Sequence, residues 1–397
     1  MFFGWRIVGA LFICLMFSSG IGFYNHSILI QALVRDSGFS IEAASGAVSV
    51  FFVVSGFTGL LIARLIESLA VKWIVIAGAL AASIALIWIG HVKSVPELYV
   101  AYAVFGAGFA ASGLIPATTL VARWFQKRRA RALSVASTGL SVGGILVTPL
   151  CAALMSSVSL SEAVLYLALA YALGVMPVAM VLKSFPADVG QQPDGEPAPA
   201  LEMKIDGMVF VEAVKHPFFW TLSVAYVLLM TAQVGGIAHQ YGLISERLTL
   251  EKTAFALTLL PLFSIIGRLA GGVILDVIDT RKFTVVMIVV QGVSILSLGL
   301  LEHELAFYVG LSVFGITVGN LLMLQPLIIA EVYGLRNYAR LYSWSNLITQ
   351  IGVSGGPAVM GLLYGLSHGY QLPFVVAGLA GVLASIVFMS AKPPRLS

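Results

Sequence analysis

The stretch "GRLAGGVILDVIDTRK", from Gly267 to Lys282, closes a long apolar run and then places an acid before two bases. Its acid is Asp276, and an Arg–Lys pair begins five residues later. A second stretch, "ARLIESLAVKW" at 63–73, repeats this order, with Glu67 followed five residues later by a lysine. Each stretch follows the second long apolar run of its half of the chain, so the pair indicates an internal repeat.

The composition of the whole chain is that of a membrane protein. Of its 397 residues, 59% are hydrophobic and only 10% are charged, whereas about 25% are charged in soluble domains. Apolar runs of about 20 residues recur, and each is long enough as a helix to cross a ~30 Å hydrocarbon core. They lack the alternation of barrel strands, so we expect helices. In one run, Gly139 and Gly143 have the spacing that predicts close helix packing.

The runs predict twelve transmembrane helices, divided six and six by one long polar loop. We therefore predict an N-terminal six-helix bundle at 1–183, a linker at 184–216 and a C-terminal six-helix bundle at 217–397. The end of the linker, "GMVFVEAVKHPFF", suits either a short amphipathic helix on the membrane surface or a plain loop. The expected spans lie at about 6–33, 42–64, 73–91, 97–121, 130–155, 162–183, 217–243, 253–275, 283–301, 306–331, 339–366 and 371–391.

The distribution of the 22 lysines and arginines predicts the orientation of the chain. Arg268 lies within a span, and all but four of the others fall on the side that carries both termini and the linker. Positive residues mark the cytoplasmic side, so both termini are expected there. The short loops favour a bacterial inner membrane, and we expect a monomer. The four bases expected on the outer side are Arg35, Lys93, Arg247 and Lys252.

No motif of an enzyme or a cofactor site is present in the sequence. Cys14 and Cys151 both fall inside predicted spans, where they indicate neither a disulfide framework nor a metal site. HExxH, Walker and nucleophile-elbow patterns are absent. A net charge of +4 gives no indication of nucleic-acid binding. We therefore expect neither catalysis nor a cofactor.

Arg268 is the one lysine or arginine expected well inside a span. A charge at membrane depth costs at least about 2.5–3.5 kcal/mol, so it normally faces a cavity or a partner. The guanidinium matches a carboxylate with two parallel hydrogen bonds. No Asp or Glu lies near the middle of any span, which favours a bound anion over an internal ion pair. Neutral partners such as Asn320 or backbone carbonyls remain alternatives.

His26 lies in the stretch "GFYNHSILI", roughly 27–30 Å along the first span from its cytoplasmic start. A histidine changes its charge near neutral pH, and a bound carboxylate would favour the protonated form. His26 is thus a candidate proton carrier, with Tyr24 and Asn25 beside it as candidate substrate contacts. The alternative is a neutral histidine that is hydrogen-bonded to Ser27 or Asn25. His239, at the outer end of span seven, is expected at the membrane interface.

Charged residues at the cytoplasmic ends of the spans are candidate gates. Glu67 and Asp276 can pair with bases such as Arg128 and Arg129. Exposed pairs of this kind contribute about 0–1 kcal/mol each. The alternative is that the bases of "QKRRAR" serve only as a positive-inside topology signal.

The six-plus-six plan with an acid–base turn after spans two and eight resembles the major facilitator superfamily. The turn at 267–282 is similar to that superfamily's loop motif. The first copy departs from it, with Glu67 in place of the usual Asp, Ser68 in place of Arg and Ala70 in place of Gly. The resemblance implies an all-α major facilitator fold of two pseudo-symmetric bundles and transport by alternating access.

Three further stretches resemble the monocarboxylate-transporter-like branch: "GWRIV" at 4–8, "ARWFQKRRARALSVASTGLSVGG" at 122–144 and "GGPAVMGLLYGLSHGY" at 355–370. In that branch, an arginine at the place of Arg268 binds the substrate carboxylate. Animal members carry Lys-Ser in the first span, where this chain has "NHS". The resemblance therefore implies that His26 takes the place of a cation coupled to substrate and proton. Ser264 stands where animal members often have Asp.

These features together predict a proton-linked carrier of small organic anions, such as monocarboxylates. The main alternative is an efflux antiporter for larger amphipathic drugs or metabolites. Such carriers often have a proline–glycine signature in span five and acids within the membrane, neither of which is found here. A non-transporting sensor on the same scaffold is a third class, for which an additional soluble domain is expected.

Overall fold

The computed structural model describes residues 2–125, 128–195, 207–275, 277–334 and 337–394. The chain forms two compact units, an N-terminal unit (Met1–Leu201) and a C-terminal unit (Glu202–Ser397). Within the described residues, twelve helical spans are long and apolar enough to cross a membrane, six in each unit. The predicted all-α membrane protein with twelve transmembrane helices is therefore confirmed.

The first span of the N-terminal unit is not a regular helix. α1 (Gly4–Ser19) runs into a π turn (Gly20–Tyr24), and α2 (His26–Ser37) follows after Asn25. A π turn holds one residue more than an α-helical turn and is frequent at functional sites. The other helices of this unit are α3 (Ile41–Ser68), α4 (Val71–Ile89), α5 (Val95–Ser112), α6 (Leu114–Trp124), α7 (Arg129–Ser157) and α8 (Leu160–Ala179).

The C-terminal unit begins with a short helix that precedes its six spans. That helix is α9 (Phe210–Lys215), so the end of the linker is helical, which the sequence left open. Its Ala213 is buried, whereas Val211 is exposed. The spans are α10 (Pro217–Arg247), α11 (Leu250–Ile274), α12 (Thr280–Leu300), α13 (Glu304–Tyr333), α14 (Tyr338–Ser367) and α15 (Gln371–Met389).

Short polar residues mark where several spans begin. The hydroxyls of Ser40, Ser94 and Ser159 accept backbone N–H groups in the first turns of α3, α5 and α8. The carboxylate of Asp279 accepts the N–H of Lys282 at the start of α12, at 2.9 Å. Each cap satisfies a donor that the helix itself leaves unpaired. The spans therefore begin at definite residues although their apolar runs have no sharp edge.

Two glycines bring α7 into close contact with α1. Gly139 and Gly143 lie against the backbone carbonyls of Phe12 and Met16, so closely that a side chain at either glycine would overlap them. Small residues at such spacing allow helix backbones to approach inside a membrane. The close packing predicted from Gly139 and Gly143 is confirmed.

The C-terminal unit repeats this crossing between α10 and α14. Gly352 and Gly356 of α14 lie against the carbonyls of Val227 and Thr231 of α10. The partners are again four residues apart, as they are in the α1–α7 crossing. Since both the glycine spacing and the carbonyl spacing recur, the two halves share an internal repeat at the level of helix packing.

Candidate functional site

His26 lies in a pocket of aromatic rings inside the N-terminal unit. Its own exposure is 0%. The ring centroids of Phe51 and Phe52, both from α3, lie 4.4 and 5.6 Å from the imidazole centroid. Those of Tyr102 and Phe105, both from α5, lie 5.9 and 6.0 Å away. These four rings and His26 are called the His26 pocket below.

The polar atoms of this pocket and of the adjacent Asn25 have no hydrogen-bond partners among the residues that the structure describes. This holds for both ring nitrogens of His26, for both amide atoms of Asn25 and for the hydroxyl of Tyr102. A buried polar group left unpaired costs about 1–3 kcal/mol. Most such groups in native proteins are satisfied by protein or ordered water, so an unpaired cluster needs a specific reason.

The hydrogen bonds expected from the sequence for a neutral His26, to Ser27 or Asn25, are not formed. The hydroxyl of Ser27 donates instead to the backbone carbonyl of Tyr24, at 3.1 Å. The ring of Tyr24 is buried and packs edge-on against Phe23, with centroids 5.2 Å apart. Tyr24, Asn25 and His26 therefore form one buried segment where the π turn meets α2.

Arg268 lies on α11 in the C-terminal unit and is half-buried. Its Nε donates to the carbonyl of Gly319 on α13, at 3.4 Å. The sequence proposed Asn320 or a backbone carbonyl as neutral partners, and a carbonyl is present. The amide of Asn320 instead donates to the carbonyls of Gly267, at 2.8 Å, and Ile316, at 2.9 Å.

Glycines set the distance between the two helices at this point. Gly315 and Gly319 of α13 lie against the carbonyls of Leu260 and Ser264 of α11, and neither position has room for a side chain. Gly267 of α11 lies equally close to the backbone of α13. Arg268 therefore lies next to a closely packed part of this helix pair, and its contact to Gly319 limits its freedom.

The predicted gating residues are described only in part. Asp276 lies outside the described residues, as do the side chains of Glu67 in α3 and Arg129 at the start of α7. Arg128 is exposed, and its backbone N–H lies 3.4 Å from the carboxylate of Asp194. The gating pairs of Glu67 and Asp276 with these bases remain a prediction.

Two of the sequence stretches that carry the family resemblance contact each other. Trp5 of "GWRIV" packs against Phe125 of "ARWF", with ring centroids 5.1 Å apart. Phe3 lies 5.8 Å from Trp124, whose indole N–H donates to the carbonyl of Lys183 at 3.0 Å. These aromatic residues form one cluster where the start of α1 meets the end of α6, and the indole of Trp124 joins it to Lys183, just after the last span of the unit.

Sequence reasoning missed a buried polar segment on α10. His239, which the sequence places at the membrane interface, is 1% exposed within the protein, and its depth in the membrane stays a prediction. Its Nε2 lies 3.0 Å from the carbonyl of Pro357 on α14, and its ring lies 5.6 Å from that of Tyr370. The sequence does not show that α14 and the start of α15 cover this face of α10. The adjacent Gln240 is buried as well.

Comparisons with known proteins agree with the resemblance in the sequence. The family model described as Major Facilitator Superfamily matches residues 12–301 and 236–397. The Oxalate:formate antiporter of Oxalobacter formigenes is 25% identical, over 75% of this chain and 70% of its own. Monocarboxylate transporter 4 of Rattus norvegicus is 22% identical, over 97% of this chain and 82% of its own.

A third relative is matched over part of its length, and a solved structure shares the fold. The MFS transporter asaE of Aspergillus flavus is 24% identical over 73% of this chain, and the match spans 63% of that relative's length. A bacterial homologue of the human lysosomal transporter Spinster, in an inward-facing and occupied conformation, superposes with a TM-score of 0.73. It is 15% identical and is matched over 97% of this chain and 95% of its own, which supports the fold alone.

Proposed function

This chain belongs to the Major Facilitator Superfamily, and we propose that it moves small organic anions, in particular monocarboxylates, together with a proton by alternating access. It is a membrane-embedded transporter of a family whose members are generally not enzymes. The observation that carries the proposal is Arg268, a half-buried cation attached to a close helix crossing. The monocarboxylate transporters and the oxalate:formate antiporter among the relatives support the choice of a carboxylate.

In this proposal Arg268 binds the carboxylate. Its Nε is directed to Gly319, and this contact orients the guanidinium plane. A rigid guanidinium fork offers two parallel hydrogen bonds to one carboxylate, so an oriented arginine loses less freedom on binding than a mobile lysine. Tyr24 and Asn25 are the proposed substrate contacts on the first span, at the junction between the π turn and α2.

His26 is the proposed proton carrier. Its pocket contains one other titratable group, the phenol of Tyr102, among the described neighbours. Closed aromatic rings keep water from the imidazole, so protonation requires the pocket to open. The π turn just before His26 provides a way for the pocket to open. If this turn became a regular α-helical turn, α2 would rotate about its axis. We propose that the pocket opens in one stage of the transport cycle and closes in another.

Replacing His26 by phenylalanine is expected to separate proton coupling from substrate binding. The ring fits among aromatic neighbours but cannot carry a proton. Uptake driven by an inward proton gradient should fall to the level seen without a gradient, while exchange of internal for external carboxylate continues. His91→Gln is the matched control, because His91 is exposed. A full response to the gradient in His26→Phe would contradict this role.

Uptake by the reconstituted protein tests the function itself. Labelled lactate, pyruvate and bulkier carboxylates are offered to proteoliposomes with and without an inward proton gradient. Uptake that rises with the gradient and is competed by small monocarboxylates supports the proposal. If none of these acids is carried under either condition, the carboxylate proposal fails and efflux of larger amphipathic compounds becomes the better hypothesis.

Exchange of one carboxylate for another is the second candidate, favoured by the oxalate:formate antiporter among the relatives. It predicts uptake that does not depend on the proton gradient but rises when the vesicles are preloaded with carboxylate.

We further propose a monomer in a bacterial inner membrane, with both termini in the cytoplasm. Short loops and the uneven distribution of lysine and arginine support this placement.

A further inference from the structure

The internal repeat gives the first span (α1, the π turn and α2) and α10 equivalent positions that can be counted from their crossings. The backbone nitrogen of Gly20 faces Gly143 of α7, and that of Gly235 faces Gly356 of α14. Gly20 and Gly235 therefore occupy the same place in the two halves. Any residue further along either helix can be compared with its counterpart by counting from this glycine.

Counting from these glycines pairs the polar segment of each half with that of the other. Asn25 and His26 lie five and six residues after Gly20, whereas His239 and Gln240 lie four and five residues after Gly235. The difference of one residue is the residue that the π turn adds to the first span. His26 thus corresponds to Gln240, and Asn25 corresponds to His239.

Gln240 resembles His26 in being buried without hydrogen-bond partners among the described residues. It is 2% exposed, and neither its amide oxygen nor its amide nitrogen has a hydrogen-bond partner in the described part of the chain. Gln233 lies two turns earlier on the same face of α10, and its amide oxygen is unpaired as well. An unsatisfied primary amide in a membrane helix is costly, so its presence points to a partner that arrives from elsewhere.

The backbone around Gln240 is well supported. The adjacent His239 contacts the carbonyl of Pro357, and Gly235 packs directly on Gly356. Gly242, two residues beyond Gln240, lies against the ring of Tyr370. Contacts on both sides of Gln240 hold α10 to α14 and to the start of α15. The amide is therefore presented from a rigid helix, as a specific binding contact requires.

The chemistry of an amide limits the ligand that satisfies it. Its NH₂ group needs an acceptor and its oxygen needs a donor, so a bare carboxylate satisfies only the NH₂ group. A hydroxyl group offers both. We propose that Gln240, which corresponds to His26 in the internal repeat, is a substrate contact that selects carboxylates bearing a hydroxyl group. This inference rests on the proposed function and adds a specificity to it.

The test compares L-lactate with propionate, which lacks only the hydroxyl group. Each acid competes for uptake of labelled lactate by the full-length protein in proteoliposomes. We expect lactate to compete about tenfold better than propionate in the parent protein, since only lactate has a hydroxyl group that can hydrogen-bond to the amide. In Gln240→Met the two acids should compete almost equally, with propionate unchanged. Gln240→Asn, which keeps the amide, should give an intermediate ratio.

Gln291→Met is the matched control. Gln291 is also fully buried, but its NH₂ group donates to the carbonyl of Leu229 at 3.3 Å and its oxygen accepts from Thr317 at 3.4 Å. We expect this variant to lower the melting temperature and to keep the lactate preference. Gln240→Met should raise the melting temperature of the ligand-free protein, because it removes an unsatisfied group.

The outcomes distinguish this inference from the proposed function. If carboxylates are carried in an Arg268-dependent way but the ratio is the same in the parent and Gln240→Met, only the role of Gln240 is overturned. A water molecule would then be the simplest partner of the amide. If the parent protein neither binds nor carries any small carboxylate, both the proposed function and this inference are overturned.

Discussion

Arg268→Gln is expected to reduce carboxylate uptake by about 100-fold or more. Each hydrogen bond between charged groups contributes about 1.5–3 kcal/mol, and a guanidinium forms two of them with one carboxylate. Every 1.4 kcal/mol corresponds to a tenfold change. The glutamine amide keeps a donor but has neither the charge nor the fork. The measurement is the concentration dependence of labelled lactate uptake in proteoliposomes, with kcat and KM determined separately.

Two further variants make this result specific. Arg268→Lys keeps the charge but loses the planar fork, so we expect partial activity, about tenfold below the parent. Arg64→Gln removes an exposed arginine of α3 and should leave both constants unchanged. Melting temperatures of all three variants show whether each protein is folded. Parent-like affinity and rate in a folded Arg268→Gln protein would show that Arg268 does not bind the substrate.

Gly319→Leu is expected to have the largest effect on stability. A side chain at Gly319 would overlap the backbone carbonyl of Ser264, and a backbone atom cannot rotate away as a side chain can. The α11–α13 pair must separate, and overpacking costs about 1–3 kcal/mol and occasionally more. We expect a clear fall in the melting temperature in detergent, together with weaker carboxylate binding because Arg268 loses the position of its carbonyl partner.

Gly272→Leu is the control on α11. A side chain there has no neighbour within 4 Å. Both substitutions replace helical glycine by leucine and gain about the same helix propensity, close to 1 kcal/mol. The difference between the melting temperatures of the two variants therefore measures the effect of crowding at Gly319. Equal melting temperatures of the two variants would mean that α11 and α13 do not pack as closely as described.

The sequence predicted the helical spans well because a bilayer acts on local composition. A run of about 20 apolar residues has one stable arrangement in hydrocarbon, whatever its neighbours are. Gly139 and Gly143 predicted a close crossing on the same local grounds. The matching crossing at Gly352 and Gly356 was not foreseen, although its spacing is identical. A pair of small residues indicates that another helix can pack closely there, but it does not predict which helix that is.

The candidate site was predictable only in part. Arg268 and His26 stood out because polar residues are costly in an apolar run, which is again a local property. The rings around His26 come from α3 and α5, which are other helices. The sequence near His26 does not predict that Phe51 or Tyr102 lies beside it. The burial of His239 was not foreseen for the same reason, since Pro357 of α14 and Tyr370 at the start of α15 cover it.

By itself, the sequence determined that this is a twelve-span carrier of the major facilitator superfamily with a cation inside span eight. Those properties follow from composition, length and short motifs, which act over a few turns of one helix. Tertiary structure alone decided which helices cross at glycine, which polar atoms find partners and which do not. The physical reason is that a hydrogen bond or a close contact needs two groups, and in this fold the second group usually belongs to another helix.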